Sequence, residues 1–172
     1  MALQSLLLSR DDDVIRVLRR VLNDLEIEVE VCTAPDKAVV ELARRKWDAI
    51  IIDCDDCHGA LDVLRSVRQG TSNKTSTAFA IINGITSVRN AFEMGANLAL
   101  EKPITADRAL HSFRAVHGMM LAERRRYYRH PVDRGRSTGD GGHLDLSCSE
   151  IPGQGRRHSR GIQRCADRQC GA

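Results

Sequence analysis

Three carboxylates stand within four positions at the end of a short apolar run, in Ala49-Ile50-Ile51-Ile52-Asp53-Cys54-Asp55-Asp56. Oxygen donors of this kind suit Mg²⁺, which takes one or two carboxylates and keeps several waters. Alone, a DxDD string is most simply a solvated loop after a core strand. Here it has company. Arg10-Asp11-Asp12-Asp13 follows the apolar Leu6-Leu7-Leu8, Asn83-Gly84 follows the run 78–82, and Glu101-Lys102-Pro103 follows Leu98-Ala99-Leu100. Two apolar runs that end in acids, a third in an amide and a fourth in a lysine bring complementary groups to one place, provided the runs lie side by side and point the same way.

The segments between them have the periodicity to do this. Val14, Val17, Leu18, Val21, Leu22 and Leu25 fall on one helical face, with Asp12 or Asp13 as its N-terminal cap. Glu28-Val29-Glu30-Val31 alternates as a half-buried strand near a sheet edge does. Pro35 suits the start of a second helix, ahead of Ala38, Val39 and Leu42. Leu61, Leu64 and Val67 mark a third helix, followed by a polar loop over 70–77. Val88, Ala91 and Phe92 mark a fourth, closed by Gly95. Leu110, Phe113, His117 and Leu121 mark a fifth that runs toward the arginines at 124–126.

Short apolar runs without alternation suit strands buried on both faces. Five strand–helix alternations predict an α/β fold: a (βα)5 doubly wound, five-stranded parallel sheet with right-handed crossovers, flavodoxin-like. Ligands of such sheets bind at the C-terminal ends of the strands, where Arg10/Asp11, Asp53, Asn83 and Lys102 would gather. Strand five is expected beside strand three, which would put Lys102 within reach of Asp53.

Composition divides the chain. Residues 1–122 carry 15 Lys+Arg against 17 Asp+Glu, and residues 123–172 carry 11 against 6, with eight of the 13 glycines. A boundary therefore falls near Glu123. Residues 1–122 form the α/β domain, and 123–172 a basic tail expected to be largely disordered, since 134–172 hold no apolar alternation long enough for a strand. No apolar run approaches a membrane span, and the N-terminus lacks the basic start and apolar stretch of a signal peptide. The expectation is a cytoplasmic protein with reduced cysteines and no membrane partner.

The gathered residues resemble the receiver domain of two-component response regulators over about residues 3–122. That family has an acidic pair after strand one, a phospho-accepting Asp after strand three, Thr or Ser after strand four and Lys-Pro after strand five. Asp53 matches the acceptor and Lys102-Pro103 the Lys-Pro step, while Phe92-Glu93-Met94-Gly95-Ala96 matches the segment before strand five. The resemblance implies a non-enzymatic phosphorelay module. Asp53 would be the phosphoacceptor and Lys102 its contact. Asp11, Asp53 and the Asp55 carbonyl would hold Mg²⁺, and a sensor histidine kinase or other signalling protein would be the partner.

The sequence also departs from the pattern. Arg10 stands where the first acid belongs, with Asp11 second; shifting the register by one would restore Asp11-Asp12 at the cost of a gap in the first helix. Asn83 replaces the switch hydroxyl, Ala99 the switch aromatic and Cys57 a proline. A guanidinium near the ion would oppose Mg²⁺, and Arg10 could pair with Asp53 in its place, so any binding should be weak. The reading is a degenerate receiver that acts as an interaction module. A phosphorylation-competent receiver is the second reading.

Two further strings carry possible chemistry. Cys54-Asp55-Asp56-Cys57-His58 is formally a haem-attachment CxxCH or redox CxxC, but flanking acids raise thiol pKa, and no axial ligand is evident. Cys165 and Cys170 with His158 lack a second close pair for zinc, and Cys32 reads as a buried strand residue. Arg125-x3-Arg129 resembles the opening of a PilZ domain, whose arginines would clasp cyclic-di-GMP. Asp145-x-Ser147 loosely resembles that family's second motif, with Glu150 in place of its glycine. The stretch after Val132 is too short for a PilZ barrel, which suggests a frameshift near Arg134 or a genuine basic tail. Nucleic-acid binding by that tail has thin support, because only Tyr127 and Tyr128 offer stacking.

Overall fold

The residues of β3 are buried at every position, and those of β1 and β4 at all but one, so these strands need cover on both faces. The computed structural model, which describes residues 2–56, 58–69 and 72–129, supplies it. Strands β1 (Leu3–Leu8), β2 (Ile27–Cys32), β3 (Ala49–Asp53), β4 (Thr77–Ile82) and β5 (Leu98–Glu101) run parallel in the order β2-β1-β3-β4-β5. Alternating with them are α1 (Asp12–Asp24), α2 (Pro35–Arg44), α3 (Ala60–Gln69), α4 (Val88–Glu93) and α5 (Ala106–Arg129). This is the predicted doubly wound α/β sheet.

Successive strand side chains point to opposite faces. Leu6, Leu8, Ile50 and Ile52 pack with Ala38 and Leu42 of α2 and Val63, Leu64 and Val67 of α3. Leu7, Ile51, Phe79 and Ile81 pack with Leu18 and Leu22 of α1 and Phe113, Val116 and Met120 of α5. The rings of Phe79 and Phe113 lie 4.3 Å apart between centroids. At roughly 1.5–3 kcal/mol for each fully buried large side chain, these two layers hold the strand ends in register.

Four details differ from expectation. β5 lies beside β4, not β3, so Lys102 must reach Asp53 across an intervening strand. The N-terminal cap of α1 is Asp11, not Asp12 or Asp13; its Oδ1 accepts the N–H groups of Asp13 and Val14 at 3.0 and 3.2 Å. The turn comes early because the Ser9 hydroxyl accepts the Asp11 N–H. In α4 only Ala91 is buried, while Val88 and Phe92 are exposed. In α5 the buried stripe is Ala109, Phe113, Val116 and Met120, which leaves Leu110, His117 and Leu121 half-buried at its margin.

The compositional change at Glu123 is not a helix end, because α5 continues to Arg129. Its last turns are fastened to the N-terminal edge of the sheet. Arg124 Nη1 lies 2.9 Å from Asp48 Oδ2, both side chains nearly buried, and also donates to the Ala2 carbonyl. The same Asp48 oxygen accepts the Gln4 N–H at 2.8 Å. Among the described residues no helix is long and apolar enough to cross a membrane. The tail expected to be largely disordered from 123 is helical over 123–129; Cys57, the tail positions Val132, Arg134, Asp145, Ser147, Glu150, His158, Cys165 and Cys170, and the rest of the expected disorder lie outside the described residues.

Candidate functional site

Asp53 ends β3 with no surface exposed. An isolated buried carboxylate is costly, so it should be paired. Lys102, which follows β5, supplies the partner: its Nζ lies 2.8 Å from Asp53 Oδ2 and 3.0 Å from Asp11 Oδ2. The Lys102 N–H donates to Ile82 O at 2.8 Å, which fixes where the side chain starts. Its long stem then crosses the end of β4. Ser9, at the end of β1, donates its hydroxyl to Asp53 Oδ2 at 3.0 Å. Asp53 Oδ1 has no hydrogen-bond partner.

The electrostatics follow from these contacts. Burial raises the Asp53 carboxyl above the ordinary carboxylate range, opposed by Lys102 and then Ser9. The hydrogen bond from Lys102 is the largest influence on Asp11 and holds its carboxyl below that range. Burial alone would lower the Lys102 ammonium; its hydrogen bonds and charge interactions with Asp53 and Asp11 outweigh this and raise it. An ammonium shared by two carboxylates is the charge arrangement these groups favour.

The other carboxylates face elsewhere. Asp55 Oδ2 accepts the Asn83 N–H at 2.7 Å and its Oδ1 the Thr86 N–H at 2.9 Å. Asp56 Oδ2 accepts the Arg10 N–H. The Arg10 side chain does not pair with Asp53, as its charge suggested; its Nε donates to Thr33 O at 3.0 Å and it is exposed. Asn83 is exposed and its Oδ1 accepts only a long 3.4 Å contact from the Ile85 N–H. Ala99 is half-buried on β5.

Lys102 engages both carboxylates, Asp11 and Asp53, that would hold Mg²⁺ together with the Asp55 carbonyl. Of the oxygens on Asp11, Asp53 and the Asp55 side chain, only Asp53 Oδ1 lacks a partner. Mg²⁺ demands near-octahedral oxygen geometry, and Lys102 sits between the two carboxylates that converge. Among the described residues no group of three or more His, Cys, Asp or Glu side chains is arranged to hold a metal ion.

The remaining candidates lie apart from this cluster. Arg125 and Arg129 are exposed in the last turns of α5, at the opposite edge of the sheet. Cys54 is buried, and burial, then Asp55 and Asp53, pushes its thiol up to about 12. Such a thiol is a poor nucleophile. Sequence reasoning missed Ser9 and Thr86. A serine closing an apolar run ahead of a polar string was the available signal for Ser9. Nothing local marked Thr86, whose role lies in its backbone N–H.

No protein-family profile matches the chain, and no curated protein matches it. Solved structures do. The receiver domain of the sensor histidine kinase PA1611 from Pseudomonas aeruginosa, with magnesium in its active-site cleft, superposes with a TM-score of 0.59 at 20% identity, covering 69% of this chain and 99% of that one. A CheY-like receiver domain protein from Methanospirillum hungatei gives 0.62 at 13%, covering 72% and 99%. The chemotaxis response regulator CheY4 of Vibrio cholerae gives 0.62 at 18%, covering 67% and 99%. The chain has the receiver fold.

Proposed function

We propose that this chain is a degenerate receiver: a phosphorelay-type signalling domain that binds a partner protein, such as a sensor histidine kinase, without needing to be phosphorylated. The observation that carries this reading is Lys102 Nζ lodged between Asp53 and Asp11 at 2.8 and 3.0 Å. It supplies internally the positive charge that a cation would bring. An incoming Mg²⁺ must displace an ammonium from two carboxylates, so it binds weakly. The switch parts support the same reading. Asn83 offers an amide where a hydroxyl would follow a phosphoryl group, and Ala99 has no ring to move. A modification that biases no two-state element has no readout.

One observation favours a second reading, a receiver that still accepts a phosphoryl group. Asp53 Oδ1 has no partner, and Lys102 is close enough to neutralise a charge added there. Control of a cyclic-di-GMP-binding PilZ output, or nucleic-acid binding by the basic tail, draws no support from Arg125 and Arg129, which end a helix of the receiver fold. The two main readings separate on incubation with a small phosphodonor and millimolar Mg²⁺, then intact-protein mass measurement, with Asp53→Asn as control. The degenerate receiver stays unlabelled or is labelled slowly with little structural change. Rapid labelling that Asp53→Asn abolishes, accompanied by a shift of β4 and β5, would restore the phosphorylation-competent reading.

A further inference from the structure

The carboxylate of Asp55 is aimed away from Asp53 and grips the neighbouring loop. Its two oxygens accept the N–H groups of Asn83 and Thr86, at 2.7 and 2.9 Å. These two residues bracket the segment between β4 and α4, the segment in which a receiver's switch would lie. Hydrogen bonds to an ionised acceptor are roughly twice as strong as neutral ones. Apart from Thr86, which is buried, the segment has few other anchors. Helix α4 is six residues long and buries only Ala91. Within the segment the Asn83–Ile85 contact is long, at 3.4 Å, and Ser87 serves α4 by accepting the Asn90 N–H. Asp53 contributes nothing here: its Oδ2 is held by Lys102 and Ser9, and its Oδ1 has no partner.

We infer that Asp55 is a fixed clasp, a positioning residue that sets the conformation of the β4–α4 segment independently of the state of Asp53. The inference rests on the degenerate-receiver reading and adds to it the device that holds the segment still. Clasp and acceptor are two residues apart in one loop, so the carboxylate that holds the segment is always present and needs no chemical step to arrive. It also fixes where Ile85, 80% exposed, and the exposed Val88 and Phe92 stand.

The test is amide hydrogen exchange on the full chain in metal-free, donor-free buffer, comparing wild type with Asp55→Ala, Asp55→Asn and Asp56→Ala. Loss of a hydrogen bond to a charged acceptor predicts exchange faster by about tenfold or more in residues 83–94 of Asp55→Ala, with β1 and β3 unchanged. Asp55→Asn keeps one acceptor oxygen and should fall between wild type and Asp55→Ala; it also serves if the alanine variant does not fold. Asp56→Ala should leave residues 83–94 at wild-type rates. Wild-type exchange there in Asp55→Ala, or an increase spread equally over every strand, would overturn the clasp. Because neither metal nor phosphodonor is present, that result stands whether or not Asp53 accepts a phosphoryl group.

Discussion

At the level of single residues, Lys102 touches Asp53 and Asp11 while itself only 18% exposed, and Asp53 is wholly buried. Removing one member of such a pair leaves the other buried and uncompensated, which typically costs about 3–5 kcal/mol. Asp53 can relieve part of that by taking a proton, since burial already raises its carboxyl. Lys102→Met should therefore destabilise by ~3 kcal/mol in denaturant titration, near the lower end of that range. Adding Asp53→Asn should recover much of the loss, a coupling of about 2 kcal/mol. Additive losses would mean that the two side chains do not act as a pair. Cys54 gives a second expectation. Its thiol is raised from 9.0 to about 12, so it should resist alkylation at neutral pH at any rate faster than global unfolding. The effect on stability has a definite sign. The contribution of this thiol is fully present below its unfolded value and is lost as pH rises from about 9 toward 12. Rapid alkylation of Cys54 in the native protein at pH 7 would contradict its burial. At this scale Asp53, Lys102 and Asp11 were legible in the sequence because each stands where an apolar run stops. The aims of Asp55 and Arg10 were not. They depend on where the Asn83 and Thr86 N–H groups and the Thr33 carbonyl lie, which only the folded loops define.

At the level of elements, α5 does more than close the sheet. Arg124 and Asp48 are 12% and 9% exposed, so the pair is nearly desolvated. Arg124→Ala leaves the Asp48 carboxylate with the Gln4 N–H alone, and should cost about 3 kcal/mol and speed tryptic cleavage after Arg125, Arg126 and Arg129. Unchanged stability would show that the pair contributes nothing. The arginine run read as the opening of a second domain thus has one member committed to the receiver fold. Arg125 and Arg129 lie exposed on the same helix with no partner domain among the described residues, so any attraction for cyclic-di-GMP should be weak and salt-screened. Saturable micromolar binding at physiological salt, lost in Arg129→Ala, would reverse this expectation. Element identity was readable from periodicity, and phase and neighbourhood were less so. The buried stripe of α5 is set by Phe79, against which Phe113 packs, and the placement of β5 beside β4 follows from pairing that no single strand encodes.

At the level of the whole molecule, the basic composition of 123–172 makes nucleic acid the partner class to test. If the tail bound nucleic acid, affinity would fall steeply with salt and vanish on its removal. The deletion should begin at residue 130, because cutting at 123 would remove Arg124 from the fold. Little binding to duplex DNA at physiological salt, by fluorescence anisotropy, is expected from either form. Whether Lys102 stands in for the cation at the Asp53–Asp11 pair is tested most directly by titrating Mg²⁺ into wild type and Lys102→Met and tracking the amide resonances of residues 9–11, 53–55 and 83. Wild type should show no saturation through millimolar Mg²⁺, and Lys102→Met should bind measurably more tightly. Saturable sub-millimolar binding by the wild type, unchanged in Lys102→Met, would contradict that role.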